Sequence, residues 1–452
     1  MRTHSLFVSA LLCAALLLPS VAKAELRWFK GNTHTHTLWS DGNDFPEMVV
    51  DWYRRHGYHF LALSDHNILS EGEKWMRLIE VDKRRKTVFG KSPLAKYQKR
   101  FPADGWVELR GNGDAQEVRL KTLAEIRPLF EKPEEFLLVQ AEEISAYFEV
   151  MLPANPRKSS LPTPTAETLG DVPPAGSGQS LNPEPETKPI KLPVHLNALG
   201  LSELIKPEKG DSVTDTIRKN VRAAQEQADR LGQEILVHLN HPNFGWAVTA
   251  EDLAHAIEEE FFEIYNGHPS INHLGDEERP GDEELWDIAN TIRLESQEAP
   301  ALLGLATDDS HTYHGGDVRP GRGWGMVQAE ELKADALIRA MKRGDFYAST
   351  GVTLQHMKFD PGKRYYRVEI EPDVDETYRI EFIGSLKGDA NSVGKVLAAH
   401  TGHSADYHFT GKELFVRARV TSSANHQDPS FPSQKKQAWT QPIGWRPAVK
   451  LP

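Results

Sequence analysis

Short apolar runs that end on metal-binding side chains set most of what this chain can fold into. Phe60–Leu63, Phe136–Val139, Ile235–Leu239, Phe261–Ile264 and Leu302–Leu305 are four or five residues long. They are too short for helices and suit strands buried on both faces, as in a parallel sheet. Helical stretches lie between them. Phe45–His56 stops at Gly57, Asp215–Leu231 at Gly232 and Leu332–Arg343 at Gly344, while Leu285–Arg293 has the same texture. A glycine just past the last turn is a common helix stop. Strand–helix units repeated from Leu26 to about Thr350 predict an α/β sheet or barrel.

Other segments break that rhythm. Pro153–Pro189 is rich in Pro, Ser, Thr and Gly with almost no large apolar residue, and is expected to be a disordered insertion. A second insertion is expected over Glu71–Pro133, with basic residues at Lys83, Arg84, Arg85, Lys86, Lys91, Lys96, Lys99 and Arg100. Such a run reads first as a solvated face. From Gly351 onward, Tyr366-Val368-Ile370, Tyr378-Ile380-Phe382 and Leu414-Val416-Ala418-Val420 alternate with polar residues. That is the pattern of half-buried antiparallel strands, so residues 351–452 are expected to form a small β-sandwich-like domain.

The first 24 residues read as a secretory signal. Arg2 and His4 precede the apolar run Leu6–Leu18, and Ala22-Lys23-Ala24 is a small-x-small cleavage site. The run is too short to span a bilayer, so export to the periplasm or beyond is expected. Cys13, the one cysteine, lies in this segment, which leaves no thiol chemistry and no disulfide for the rest of the chain. A net charge of −12 argues against bulk nucleic-acid binding through a basic surface. It does not exclude a nucleotide substrate, because a metal site brings its own positive charge.

The chemistry-bearing residues cluster where the apolar runs end. His34 and His36 are two apart, on one face if extended, and Ser40-Asp41-Gly42 places a carboxylate on a turn just after. Ser64-Asp65-His66 follows the first run, Glu142-Glu143-Ile144-Ser145 the second, and Asp308-Asp309-Ser310-His311 the last. His195 follows Leu192-Pro193-Val194, and His238 and His241 flank Leu239-Asn240. Imidazoles and carboxylates without thiolates suit zinc, manganese or iron. There are more candidate ligands than one ion needs, so two or three divalent ions are expected.

In their order these motifs resemble the PHP (polymerase and histidinol phosphatase) family of metal-dependent hydrolases, over about residues 29–350. His195-Leu-Asn-Ala-Leu-Gly200, Glu263-Ile-Tyr-Asn-Gly267, the segment Ala340–Gly351 and the β-rich tail resemble the exported carbaryl-hydrolase-type branch. The resemblance implies a distorted seven-stranded β/α barrel with metals at the strands' C-terminal ends. It implies one ion on His34, His36, Glu143 and Asp309, a second on Glu143, His195 and His241, and a third on Asp41, His66 and His311. Asp41 stands where many members have histidine. Glu142 and Asp308 are one-register alternatives, and the following Ile-Ser and Ser-His favour Glu143 and Asp309.

The expected reaction is phosphoester hydrolysis by a metal-bridging hydroxide. Asp65 is expected to orient a ligand histidine or relay a proton. His314, Tyr313, Arg319 and Arg322 are candidates for contact with an anionic small-molecule substrate, and Asn240 and His268 are further pocket candidates. Trp246 and Trp324 would suit an aromatic carboxylic ester or carbamate, the second reading. A non-catalytic binding module is the third.

Overall fold

The computed structural model describes residues 25–84, 92–153 and 187–446. The signal segment, most of the Pro-rich insertion and Arg85, Lys86 and Lys91 of the basic run lie outside the described residues. In chain order the first strands are β1 (Arg27–Asn32), β2 (Phe60–Leu63), β3 (Lys74–Arg77), β4 (Leu109–Arg110), β5 (Glu117–Leu120) and β6 (Leu137–Pro153). Then come β7 (Thr187–Leu199), β8 (Leu236–Leu239), β9 (Phe261–Asn266), β10 (Leu303–Thr307), β11 (Trp324–Ala329) and β12 (Phe346–Ser349). The helices are α1 (Pro46–Arg55), α2 (Leu78–Arg84), α3 (Pro93–Arg100), α4 (Leu123–Phe130), α5 (Val213–Leu231), α6 (Ala250–His255), α7 (Asp282–Ser296) and α8 (Ala334–Arg343). Gly232 and Gly344 do stop α5 and α8, both in the left-handed region that a Cβ disfavours.

The fold is mixed α/β, built on one large mixed sheet. Its order begins β10-β9-β8-β7-β6-β2-β1-β11-β12. β1, β2 and β6 run parallel, as do β8, β9 and β10. The expected apolar runs do pair in parallel, but strands outside them do not: β7 pairs antiparallel with both β6 and β8, and β11 with both β1 and β12. β6 and β7 form a long hairpin whose ladder extends to Pro153–Thr187, so the ends of the Pro-rich segment are strand. The expected seven-stranded barrel is not a closed ladder among the described residues. The edge strand β10 meets the extension of β1 through one bridge, Thr35–Ser310, with His36 N–H donating to Ser310 O at 3.0 Å.

Residues 71–133 carry a separate three-stranded sheet, β3-β5-β4. Beyond β12 come β13 (Thr353–Asp360), β14 (Tyr365–Glu371), β15 (Tyr378–Leu386), β16 (Lys395–Thr401), β17 (Ser404–His408), β18 (Glu413–Asn425) and β19 (Lys435–Thr440). β19, β18, β15 and β16 continue the large sheet from β12, bringing it to 13 strands, and β13, β14 and β17 form another three-stranded sheet. Leu354, Val368, Ile370, Ile380, Phe382, Val416 and Val420 fill the core between those strands. Among the described residues no helix is long and apolar enough to cross a membrane.

Candidate metal centre

Strand ends bring the candidate ligands together. β1 runs on into 33–36, held between two neighbours: Ser64 N–H donates to Thr35 O and His36 N–H to Ser310 O. His34 and His36 are both fully buried. On the neighbouring strand, His66 pairs with Glu143 in a bridge. Alternation along β6 separates the two acids. Glu143 enters the cluster, whereas Glu142 accepts from the Ile205 N–H at 2.6 Å, and its burial pushes its carboxyl up to about 7. Past β10 the same choice is resolved. Asp309 enters the cluster, and Asp308 accepts from the N–H groups of Gly321, Arg322 and Gly323 and from the Tyr53 hydroxyl.

Glu143 is the centre of the arrangement. Its Oε1 lies 3.0 Å from His195 Nδ1 and 3.5 Å from His241 Nε2. Its Oε2 lies 3.4 Å from His34 Nε2, 3.3 Å from His36 Nε2 and 2.8 Å from His66 Nδ1. Asp309 Oδ1 closes the same group, 3.2 Å from His34 Nε2 and 3.1 Å from His36 Nε2. Asp41 lies 3.3 Å from His311 Nε2 and 3.6 Å from His66 Nε2 on the solvent side, where its side chain is 57% exposed. Donors on one tetrahedral ion with bonds of about 2.1 Å lie about 3.4 Å apart, so the spacing around His34, His36, Glu143 and Asp309 fits a cation. His34 Nε2 and Glu143 Oε2 are buried without a hydrogen-bond partner, an arrangement that is costly unless something else binds them. Three sets fit an ion by proximity: His34, His36 and Glu143; His66, Glu143 and His195; and His36, Asp41, His66 and His311.

Charge points the same way. Burial alone would depress the His34 imidazole, but the Asp309, Glu263 and Glu143 carboxylates outweigh it and hold the pKa well above the ordinary value. His36 goes the other way, down to about 4, through burial and the neighbouring His311 and His66 rings. Glu143 and Asp309 stay ionised despite burial, because the histidines around them hold both carboxyls well below their ordinary range. A buried concentration of carboxylate and imidazole attracts positive charge, as protons or as metal. Two members also carry backbone strain: Asp309 has φ +47° and His241 φ +30°, a region that costs energy for residues with a Cβ and recurs at functional sites.

Sequence reasoning missed Glu263. Its carboxylate is fully buried in β9 and accepts from His34 Nδ1 at 2.7 Å, the His241 N–H at 2.9 Å, Asn266 Nδ2 at 2.8 Å and Thr307 Oγ1 at 2.7 Å. It holds the His34 ring so that Nε2 faces the cluster. The available signal was a lone acid inside an apolar strand, where an ionised group needs partners.

Several expected roles change. Asp65 touches no imidazole; it accepts from the backbone N–H and hydroxyl groups of Thr37 and Ser40, and so holds the turn that carries Asp41. Arg319 and Arg322 both bind Asp428, and Arg322 also donates to the Gly267 and Asp317 carbonyls. A carboxylate from the β18–β19 loop therefore occupies the guanidinium groups expected to meet substrate. His314 is tied to the Asn43 carbonyl, and the Tyr313 hydroxyl to Ser310 and the His36 carbonyl. Trp246 stacks under Arg279, and Trp324 under Lys30. Asn240 donates to Glu143 Oε1 at 2.9 Å. Lys96 of α3, in the basic run, binds Asp44 and the Tyr313 carbonyl, joining the loops that carry Asp41 and His311.

A cavity of about 180 Å³ opens onto the cluster, lined by ligand candidates together with Phe244, His268 and Ile271. No protein-family model matches the chain, and no curated protein does. Among solved structures it is similar to a two-domain protein containing a predicted PHP-like metal-dependent phosphoesterase from Bacteroides vulgatus ATCC 8482. That likeness covers 93% of this chain and 97% of the other, at 14% identity and a TM-score of 0.36. It is too distant to assign a fold or an activity.

Proposed function

We propose that this chain is an exported metal-dependent hydrolase of the PHP type, and that it cleaves small phosphoesters. The observation that carries the reading is Glu143, one buried carboxylate whose two oxygens face two separate groups of imidazoles. We read β1, β2 and β6–β10 as the distorted seven-stranded barrel, the strands before Thr350 as the catalytic unit, and residues 351–452 as an attached β domain. His34, His36, Asp41, His66, Glu143, His195, His241, Asp309 and His311 hold two or three divalent ions in this reading. Zinc, manganese or iron held there would supply Lewis acidity, lowering the pKa of water and polarising the scissile oxygen.

The protein's own groups do the rest. Phe244 and Ile271 exclude water from the cavity wall. His268 accepts the Ser270 N–H on Nδ1 at 3.1 Å, so the neutral ring carries its proton on Nε2, ready for a leaving-group oxygen. A cavity of about 180 Å³ is smaller than most drug-sized sites and admits little more than the reacting group.

A second reading, a carboxylic ester or carbamate hydrolase, is favoured by one observation: among the described residues no Lys or Arg lines this cavity. Assays of the full chain with manganese, zinc and iron separate the two. Turnover of bis- or mono-p-nitrophenyl phosphate, abolished by His36→Ala, is the expected result. Turnover of p-nitrophenyl acetate alone would establish the second reading. Neither activity with any metal would overturn both and leave the non-catalytic binding module.

A further inference from the structure

A second groove, of about 370 Å³, shares no lining residue with the cavity at the metal cluster. Lys30, Trp52, His56, Tyr58 and Trp324 line it together with the 426–428 segment and Lys436. The Lys30 ammonium sits 3.8 Å from the Trp324 ring centre and 4.1 Å from that of Tyr58. Among the described residues no carboxylate lies within ion-pair distance of it. The other charges of the groove are already matched. Lys436 is held by Asp373 and Glu376, and Asp428 by Arg319 and Arg322.

A half-buried cation held by two aromatic faces and no ion-paired carboxylate has its charge only partly matched. Burial pulls its pKa down to about 8, and the Asp308 carboxylate behind it only partly offsets this. An anion placed beside it would restore the charged form, and the half-buried Trp324 and Trp52 indoles, the latter already stacked on one side by His56, offer their remaining apolar area to a flat ligand.

We propose that this groove is a binding site for a small aromatic carboxylate, with the carboxylate on Lys30 Nζ and the ring against Trp324 and Trp52. The proposal is independent of the hydrolase reading, because neither the ligand nor its contacts involve the metal cluster.

Calorimetric titration of the full chain with 2-naphthoate tests it, with 2-naphthylmethanol as the uncharged analogue. The expected result is saturable one-site binding at about 1 mM or tighter. The alcohol should bind about tenfold or more weakly, and so should naphthoate to Lys30→Met, since a desolvated charge contact is lost in each case. His36→Ala should leave naphthoate binding unchanged. Binding that survives Lys30→Met and disappears in His36→Ala would place the ligand at the metal cluster and overturn the proposal. Equal affinity for acid and alcohol in the unmodified chain, or no saturable heat, would overturn it without reference to any variant.

Discussion

Both oxygens of the Glu263 carboxylate are used inside the protein, by His34, His241, Asn266 and Thr307. Burial would raise its pKa, yet His34 and the surrounding histidines bring it down to about 2, so it remains an anion that fixes the His34 tautomer with Nε2 free. Partners of this kind commonly contribute tenfold to a hundredfold in metal affinity. Glu263→Gln should therefore weaken metal retention by about that factor, measured by competition with a chromophoric chelator, with the fold kept by circular dichroism. Unchanged affinity would reduce Glu263 to packing. Glu143 and Asp309 were legible in the sequence because each ends an apolar run, where a carboxylate has little structural reason to be. Glu263 was not, because it lies within such a run and three of its four partners, His34, His241 and Thr307, come from separate segments. Arg319 and Arg322 misled for a related reason: their partner, Asp428, is more than a hundred residues away in sequence.

At the scale of elements, α1 carries a buried acid that the site does not use. Glu47 accepts from the Tyr97 hydroxyl of α3 at 2.5 Å, yet burial dominates and raises its carboxyl to about 7. The folded chain thus binds a proton that the unfolded chain has released between about pH 4.5 and about 7. Stability from this group is complete below the lower value, falls as pH rises through the window and is flat above it. Glu47→Gln removes that loss. Between pH 5 and pH 8 the variant should gain on the unmodified chain by on the order of 2 kcal/mol, read from urea midpoints at the two pH values. A constant difference across that range would show that Glu47 titrates normally. The periodicity and glycine stops gave α5 and α8 nearly to the residue. β7 and β11 were hidden. The long Pro-rich segment separates β7 from its hairpin partner, and β11 alternates buried and half-buried residues rather than forming an apolar run.

Across the whole molecule, the strands after Gly351 are joined to the α/β part at several places, among them the buried Arg417 of β18, which binds Asp287 and Glu283 of α7, and two more. β19 continues the large sheet through β12, and Asp428 reaches across to Arg319 and Arg322, the latter with a guanidinium only 3% exposed. Removing one partner leaves a buried charge uncompensated. Asp428→Asn should lower stability by about 1–3 kcal/mol in thermal unfolding while leaving the metal content unchanged, since Asp428 touches no candidate ligand. Loss of metal in that variant would mean that the clamp also sets the cluster.

The most direct test of the account is the metal content of the full chain beside Glu143→Gln, by elemental analysis after purification without chelator and reloading with manganese, zinc or iron. Because one carboxylate faces both groups of imidazoles, the account predicts about two or three ions per chain, falling to at most about one in the variant. An unmodified chain that binds none, or a variant that keeps them all, would contradict it.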